Sequence, residues 1–347
     1  MDNEVRAVLF GLGPMGRLIA KGLLEKRGVR IVGAVDILRD IVGRDLGEVL
    51  ELGKNLNVTV TDDAEGLVSR VRADIAVIAT GSYLKNVYPQ IALCVKAGMN
   101  VISTCEELSY PYYKYPELSN EIDMLAKKYG VTVLGTGINP GYLMDTLPII
   151  LTGACKHVES VRVTRVMDSS KRRIPYQKKI GTGLTPEEFN KMIGEKKITG
   201  HVGLAESTAM IAAALGWNLD EIREFPPEPV IADRELVTSY TTVKPGHVAG
   251  LKSVAHGIRN GKPAIVLEFI SHAAVEEEYD AVTIEGVPKI SEKIAGGVHG
   301  DIGTVAVITN MIPKVLNAKP GLATMIDLPP PSCTTEDLRI YLNWKKP

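Results

Sequence analysis

What the chain has little of narrows its class before any motif does. Its four cysteines, Cys94, Cys105, Cys155 and Cys333, are widely scattered, and no two form a Cys-x-x-Cys pair. Neither a disulfide framework nor a structural zinc site is therefore expected, and no metal is called for. Neither charge is in excess: 40 basic side chains stand against 41 acidic ones, for a net charge of −1. Without a broad field to attract polyanions, nucleic acid and anionic membranes are not expected partners. No apolar run reaches the roughly 18 residues needed to span a bilayer, because Asp, Glu, Lys or Arg interrupts each one. From Met1 the chain runs directly into the apolar stretch 5–10, with no basic segment, signal core or small-residue cleavage site, so a cytoplasmic protein is expected. The sequence also lacks internal repeats, low-complexity tracts, a Gly-x-Ser-x-Gly elbow and a His-Glu-x-x-His helix.

What is there is a globular composition, 45% apolar and 23% charged, over 347 residues, enough for two domains. Residues 5–135 alternate short β-branched runs (6–10, 31–35, 75–79, 100–103, 132–135) with segments of helical period (16–26, 63–71, 84–97, 116–129). That is the pattern of βαβ units on a parallel sheet. Past Pro140 the texture changes to a strand at 157–168, a Gly- and Lys-rich loop at 169–184 and helices at 186–194 and 204–215. β-rich runs then fill 230–285, broken at Pro245-Gly246, Asn260-Gly261 and Glu285-Gly286; Asn260-Gly261 is the strongest hairpin signal. An apolar helix follows at 302–316. The expected fold is α/β, with a Rossmann domain over 1–145 and an inserted α+β domain with an open mixed or antiparallel sheet over 146–300. A C-terminal return over 301–347 packs on the first domain.

Gly11-Leu-Gly13-Pro14-Met15-Gly16 follows a strand and opens a helix, the context in which Gly-x-Gly-x-x-Gly binds a dinucleotide. Gly11 makes the tight turn, Gly13 admits the pyrophosphate, and Gly16 allows helix to pack on strand, with the helix N-terminus facing the phosphates. Asp36, 20 residues after Gly16, ends the second strand, where a carboxylate accepts hydrogen bonds from the adenosine ribose and favours NAD. Arg39 could meet a 2′-phosphate, so NADP stays open, and Asp36 as a plain helix cap is the competing account. Thr80-Gly81-Ser82 at the end of the fourth strand either flank the nicotinamide ribose or make a capped turn. The next strand ends in Thr104-Cys105-Glu106-Glu107, two adjacent carboxylates at the same sheet edge. One can serve as general base; extended neighbours point oppositely, so only one faces a substrate. The alternative is that both are first-turn acids of a following helix. Asn139, in Asn139-Pro140-Gly141, either binds the carboxamide or makes a turn. The basic loop from Lys171 to Gly183, with Arg173, Gln177 and Thr182, is either a grip for a substrate carboxylate or a solvated loop. His201, His256, His272 and His299 lack metal-ligand spacing.

The glycine motif, Cys105-Glu106-Glu107-Leu108-Ser109-Tyr110-Pro111, the 135–141 segment, Gly181-Thr-Gly-Leu-Thr-Pro, Gly200-His201-Val-Gly and His299-Gly-Asp-Ile-Gly-Thr together resemble 2,4-diaminopentanoate dehydrogenases and the related native amine dehydrogenases. The resemblance covers nearly the whole chain. It implies a fold similar to dihydrodipicolinate reductase, though the His-His-x-x-Lys motif of those reductases is absent. It implies NAD(P)-dependent oxidative deamination of 2,4-diaminopentanoate to 2-amino-4-oxopentanoate and ammonia, and the reverse amination. It also implies an essential glutamate, Glu106 or Glu107, and substrate contacts from Arg173, Gln177, Thr182 and His201. A homodimer joined through the outer face of the second domain's sheet is expected. Two rivals remain: a reductase of a cyclic imine or alcohol, and a non-catalytic NAD(P) sensor. The paired carboxylates speak against the sensor.

Overall fold

The computed structural model describes residues 4–342 and divides into two compact units. One is assembled from two separated stretches, up to Tyr142 and from Gly300 onward; the other is the continuous stretch Leu143–His299. The first unit begins with β1 (Val5–Phe10), α1 (Pro14–Glu25), β2 (Val29–Val35), α2 (Leu46–Val49), β3 (Val60–Thr61) and α3 (Ala64–Arg70). It continues through β4 (Ile75–Ile78), α4 (Leu84–Lys96), β5 (Asn100–Ser103), α5 (Pro116–Tyr129) and β6 (Thr132–Gly135). The second unit holds α6 (Thr146–Thr152), β7 (His157–Asp168), α7 (Ile174–Lys179), α8 (Pro186–Gly194), α9 (Leu204–Ala214), β8 (Glu221–Glu224), β9 (Glu228–Ile231), β10 (Leu236–Val237) and β11 (Thr242–Val243). Four longer strands close it: β12 (Val248–Arg259), β13 (Lys262–His272), β14 (Tyr279–Val287) and β15 (Ile290–Ala295). The chain then returns to the first unit as α10 (Gly300–Leu316) and β16 (Gly321–Ala323).

The first unit's sheet is wholly parallel, in the order β16-β6-β5-β4-β1-β2-β3. A parallel sheet is covered on both faces, so its strands read as unbroken apolar runs; every residue of β4, Ile-Ala-Val-Ile, is buried. Local signals set the helix ends. α1 starts at Pro14, where a missing N–H costs nothing, and α5 starts at Pro116 and stops at Gly130 in the left-handed region, φ 69°. At the return, Gly22 of α1 leaves no room for a Cβ, which would stand 2.3 Å from a methyl of Val305, so the glycine lets α1 and α10 pack closely.

The second unit's sheet runs β15-β14-β7-β13-β12-β8, with β9 also paired to β12. Its central pair, β7 with β13, is parallel and the others are antiparallel, so the sheet is mixed. The β12–β13 hairpin turns at Asn260 (φ 53°) and Gly261 (φ 73°), both in the left-handed region that a two-residue turn of this hand requires. Along β7, Val161, Val163, Arg165 and Met167 are buried while Arg162 is exposed and Thr164 and Val166 are half-buried, so one face of the strand is covered and the other open. Nine residues of α9 are buried, which is why its sequence, Leu-Ala-Glu-Ser-Thr-Ala-Met-Ile-Ala-Ala-Ala, is apolar nearly all round. α8 is capped reciprocally: Thr185 Oγ1 accepts the Glu188 N–H, and the Glu188 carboxylate accepts the Thr185 N–H. The loop at 169–184 is interrupted by α7, whose six residues are too few to show a period.

Candidate active site

The glycine turn is built as its spacing requires. Gly11 adopts φ +91° with the Ala79 carbonyl close behind it, where a Cβ would stand 2.6 Å from that oxygen. A Cβ on Gly16 would lie 1.9 Å from the Gly11 carbonyl oxygen, so helix and turn touch backbone to backbone. Gly13 differs: its φ is −63°, it is the N-cap of α1, and nothing lies within 4 Å of where its Cβ would be. No side chain caps that helix end and no acidic residue occupies its first turn, so the N-terminal dipole faces open space beside Pro14 and Met15. Asp36 is buried at the end of β2; its carboxylate accepts the N–H of Leu12 at 2.5 Å and that of Leu38 at 2.9 Å. It therefore pins the glycine turn to the second strand and keeps lone pairs at the sheet edge. Arg39 is exposed on the loop that follows. An open, uncapped helix end next to a fixed carboxylate fits the pyrophosphate and ribose of a dinucleotide.

At the ends of β4 and β5 the backbone is stitched together. The Thr104 N–H donates to the Ile78 carbonyl at 3.0 Å, and the Ser82 carbonyl accepts both the Glu107 N–H (3.2 Å) and the Cys105 thiol (3.3 Å). Thr80 donates its hydroxyl to Gln90 Oε1 at 2.6 Å, and Gly81 is exposed. Burial, reinforced by the charges of Glu106 and Glu107, pushes the Cys105 thiol up to about 12, so it is a protonated donor and not a nucleophile. The adjacent glutamates, on a short 3-10 turn from Glu106 to Leu108, are treated differently. Glu107 is buried; its Oε2 accepts the N–H of Leu84 at 2.8 Å and its Oε1 accepts the Tyr115 hydroxyl at 3.0 Å. It thus caps α4, whose own N-cap, Tyr83, supplies no side-chain bond. Glu106 is half-buried, with its backbone carbonyl held by the Ser109 hydroxyl at 2.7 Å. Gly135 makes room for this turn: a Cβ there would lie 2.4 Å from the Leu108 carbonyl carbon. Asn139 precedes a cis peptide bond to Pro140 in the segment that follows β6.

In the second unit the four expected substrate residues, three from the loop and His201, stand in unlike settings. Gln177 is fully buried and its amide nitrogen donates to the Arg172 carbonyl and the Ser239 hydroxyl, each at 2.7 Å, so it holds the loop in shape. Thr182 is buried with no hydrogen-bond partner for its hydroxyl among the described residues. Arg173 is half-buried at the N-cap of α7. His201 stacks on Phe269 at 4.3 Å; burial, with Lys179 and Arg165 nearby, drives its pKa down to about 3, so the ring is neutral at physiological pH. Sequence reasoning missed two buried carboxylates of this unit. Asp145 accepts the Thr146 N–H at 2.5 Å as the N-cap of α6 and the Ser207 hydroxyl at 2.7 Å, and Glu206 lies fully buried in α9. A lone acid in an apolar helix, and an Asp just ahead of a helix, were the signals available.

Residues 142–344 match the profile of the 2,4-diaminopentanoate dehydrogenase C-terminal domain, more than half of the chain. The chain belongs to the 2,4-diaminopentanoate dehydrogenase family. A 2,4-diaminopentanoate dehydrogenase of Acetoanaerobium sticklandii is 39% identical over 342 residues, 97% of each chain. An amine dehydrogenase of Streptomyces virginiae is 26% identical over 94% of this chain and 96% of that one. The solved amine dehydrogenase of Mycobacterium smegmatis superposes with a TM-score of 0.84 at 30% identity, covering 96% of this chain and 98% of that one. Residues 5–110 match the N-terminal profile of dihydrodipicolinate reductase, in agreement with a nicotinamide-cofactor domain of that type. The 2,4-diaminopentanoate dehydrogenase family thus accounts for both units, and its members are NAD(P)-dependent amine dehydrogenases. Among the described residues no helix is long and apolar enough to cross a membrane.

Proposed function

We propose that this family member oxidises the 4-amino group of 2,4-diaminopentanoate, giving 2-amino-4-oxopentanoate and ammonia, and runs the reverse amination, with Glu106 as general base. What supports Glu106 as the base is its exposure: it is half-buried, while Glu107 is buried with its carboxylate bound to the Leu84 amide and the Tyr115 hydroxyl. Glu106 takes a proton from the substrate's 4-ammonium, freeing the nitrogen lone pair to form the C4–N double bond as the C4 hydrogen leaves. NAD(P), when bound at this sheet edge, would supply the acceptor for that hydrogen as hydride. The proton taken by Glu106 passes to solvent, and the regenerated carboxylate takes one from water as it adds to the iminium carbon and hands it to the nitrogen, so that the C–N bond breaks to release ammonia as the new hydroxyl loses its proton to leave the ketone. Gly11, Gly13, Pro14, Met15 and Gly16 hold the pyrophosphate, Asp36 the adenosine ribose, and Thr80, Gly81, Ser82, Thr104 and Asn139 the nicotinamide end. Exposed Arg39 leaves NADP as a second cofactor. Arg173, Gln177, Thr182 and His201 line the substrate's side.

The protein works as a homodimer through the open face of its mixed sheet, where Val166 and Ile270 lie in register around the ion cluster of Arg162, Glu268 and Lys252. The test of function is direct: purified protein with 2,4-diaminopentanoate is followed by absorbance of reduced cofactor, with NAD and then NADP, alongside an ammonia assay. Equal formation of reduced cofactor and ammonia supports the reading; no reduction with either cofactor overturns it.

A further inference from the structure

The second unit contains a cavity of about 240 Å³ between the end of β7, the start of the basic loop at Lys171 and Arg172, and the Gly296–His299 segment. Its floor is an ion pair: Arg165 Nη1 meets Asp280 Oδ1 at 2.8 Å, with both side chains buried. Gly296 and Gly297, both at positive φ, turn the chain back so that the Val298 N–H donates to Asp280 Oδ2 (2.8 Å) and the Val298 carbonyl accepts from Arg165 Nη2 (2.6 Å). The floor is therefore closed on itself and neutral.

The walls are not uniform in sign. One side is cationic, with Arg172, buried and stacked over the Tyr176 ring at 4.8 Å, and exposed Lys171 next to it. The lining also holds carboxylates, with Asp168 fixed by the Ser170 N–H and hydroxyl at 2.7 and 2.8 Å, and exposed Glu278 accepting the Asp168 N–H at 2.8 Å. A void of this size holds about eight waters' worth of volume, which suits a small polar group and not a cofactor. Two cations and two carboxylates lining one cavity with a neutral floor match a ligand that carries both charges close together better than a simple anion or a simple amine.

We propose that this cavity recognises an α-amino-acid head group, its carboxylate toward Lys171 and Arg172 and its α-ammonium toward Asp168 and Glu278. The inference deepens the functional reading above and rests on it for the natural ligand, since 2,4-diaminopentanoate and 2-amino-4-oxopentanoate both carry that head group.

The test is calorimetric titration of the full-length protein, saturated with NAD, with 2-aminopentanoate, pentanoate and pentan-2-amine. 2-Aminopentanoate binds at least about tenfold more tightly than either of the others, the value of one charge-assisted hydrogen bond. Lys171→Met and Glu278→Gln change exposed side chains, and their effects cross. The first weakens 2-aminopentanoate and pentanoate but not pentan-2-amine, and the second weakens 2-aminopentanoate and pentan-2-amine but not pentanoate. No binding of 2-aminopentanoate, equal binding of all three ligands, or losses that do not cross overturn the proposal. Turnover is measured separately: deamination of 2,4-diaminopentanoate without the crossed pattern sinks only this inference, and the crossed pattern without deamination sinks only the substrate.

Discussion

Neighbouring carboxylates can do different work when one is buried at the start of a helix and the other is half-exposed. Glu107 fills two donors, the Leu84 amide and the Tyr115 hydroxyl, so Glu107→Ala strands both and is expected to cost about 1–3 kcal/mol in urea denaturation. Glu107→Gln, which keeps an acceptor, recovers part of that. Glu106→Gln is expected to leave cofactor affinity unchanged and to lower kcat by about 10²–10⁴. If Glu106→Gln turns over normally while Glu107→Gln is dead, the roles are reversed. The pair was legible in the sequence as a pair and no further, because which glutamate is tied depends on Tyr115 and on where α4 begins, both fixed only by the fold. His201 carries a second expectation. Its pKa of about 3 in the folded protein lies below the unfolded value near 6.5, so the unfolded chain takes up the proton first. Its contribution to stability is complete above about pH 6.5 and drains away as the pH falls from there toward 3. Denaturation midpoints measured across that range fall for the wild type and fall less steeply for His201→Gln; equal slopes would refute the assignment.

At the scale of elements, the glycine turn separates glycines that the fold needs from one that only a ligand would need. Gly16→Ala pushes a methyl into the Gly11 carbonyl and is expected to give unfolded or insoluble protein. Gly13→Ala meets nothing within 4 Å, at a φ any residue adopts, so its melting temperature is expected to match the wild type. Its affinity for NAD, read by fluorescence titration, is expected to drop at least about tenfold, because the only thing left for the methyl to touch is the pyrophosphate. Unchanged affinity would remove Gly13 from the cofactor site. The longer elements were legible because they carry period: helix 116–129 and strands 100–103 and 132–135 are found at the positions their patterns give. β3 and β16, of two and three residues, are too short to carry one, and α7 is hidden in a stretch whose composition reads as loop. The Arg165–Asp280 pair and the cavity above it join residues 115 apart in sequence, a distance no local pattern reports.

For the whole molecule, the mixed sheet leaves one face of β7 and its neighbours without helices, and that face is the expected dimer surface. Ile270→Asp sets a charge in its centre; light scattering is expected to give the mass of a dimer for the wild type and of a monomer for the variant, and a monomeric wild type would discard the interface. The division of the chain has another effect, on the order of events at the ribosome. Leu143–His299 is continuous, so everything that unit requires has been synthesised before residue 300 appears. The unit with the glycine turn waits for its last helix and edge strand, α10 and β16, to be translated. Nascent chains arrested after about residue 300 are therefore expected to protect the middle segment from protease while the N-terminal segment is still cut, the reverse of the usual order in which the first-made domain folds first.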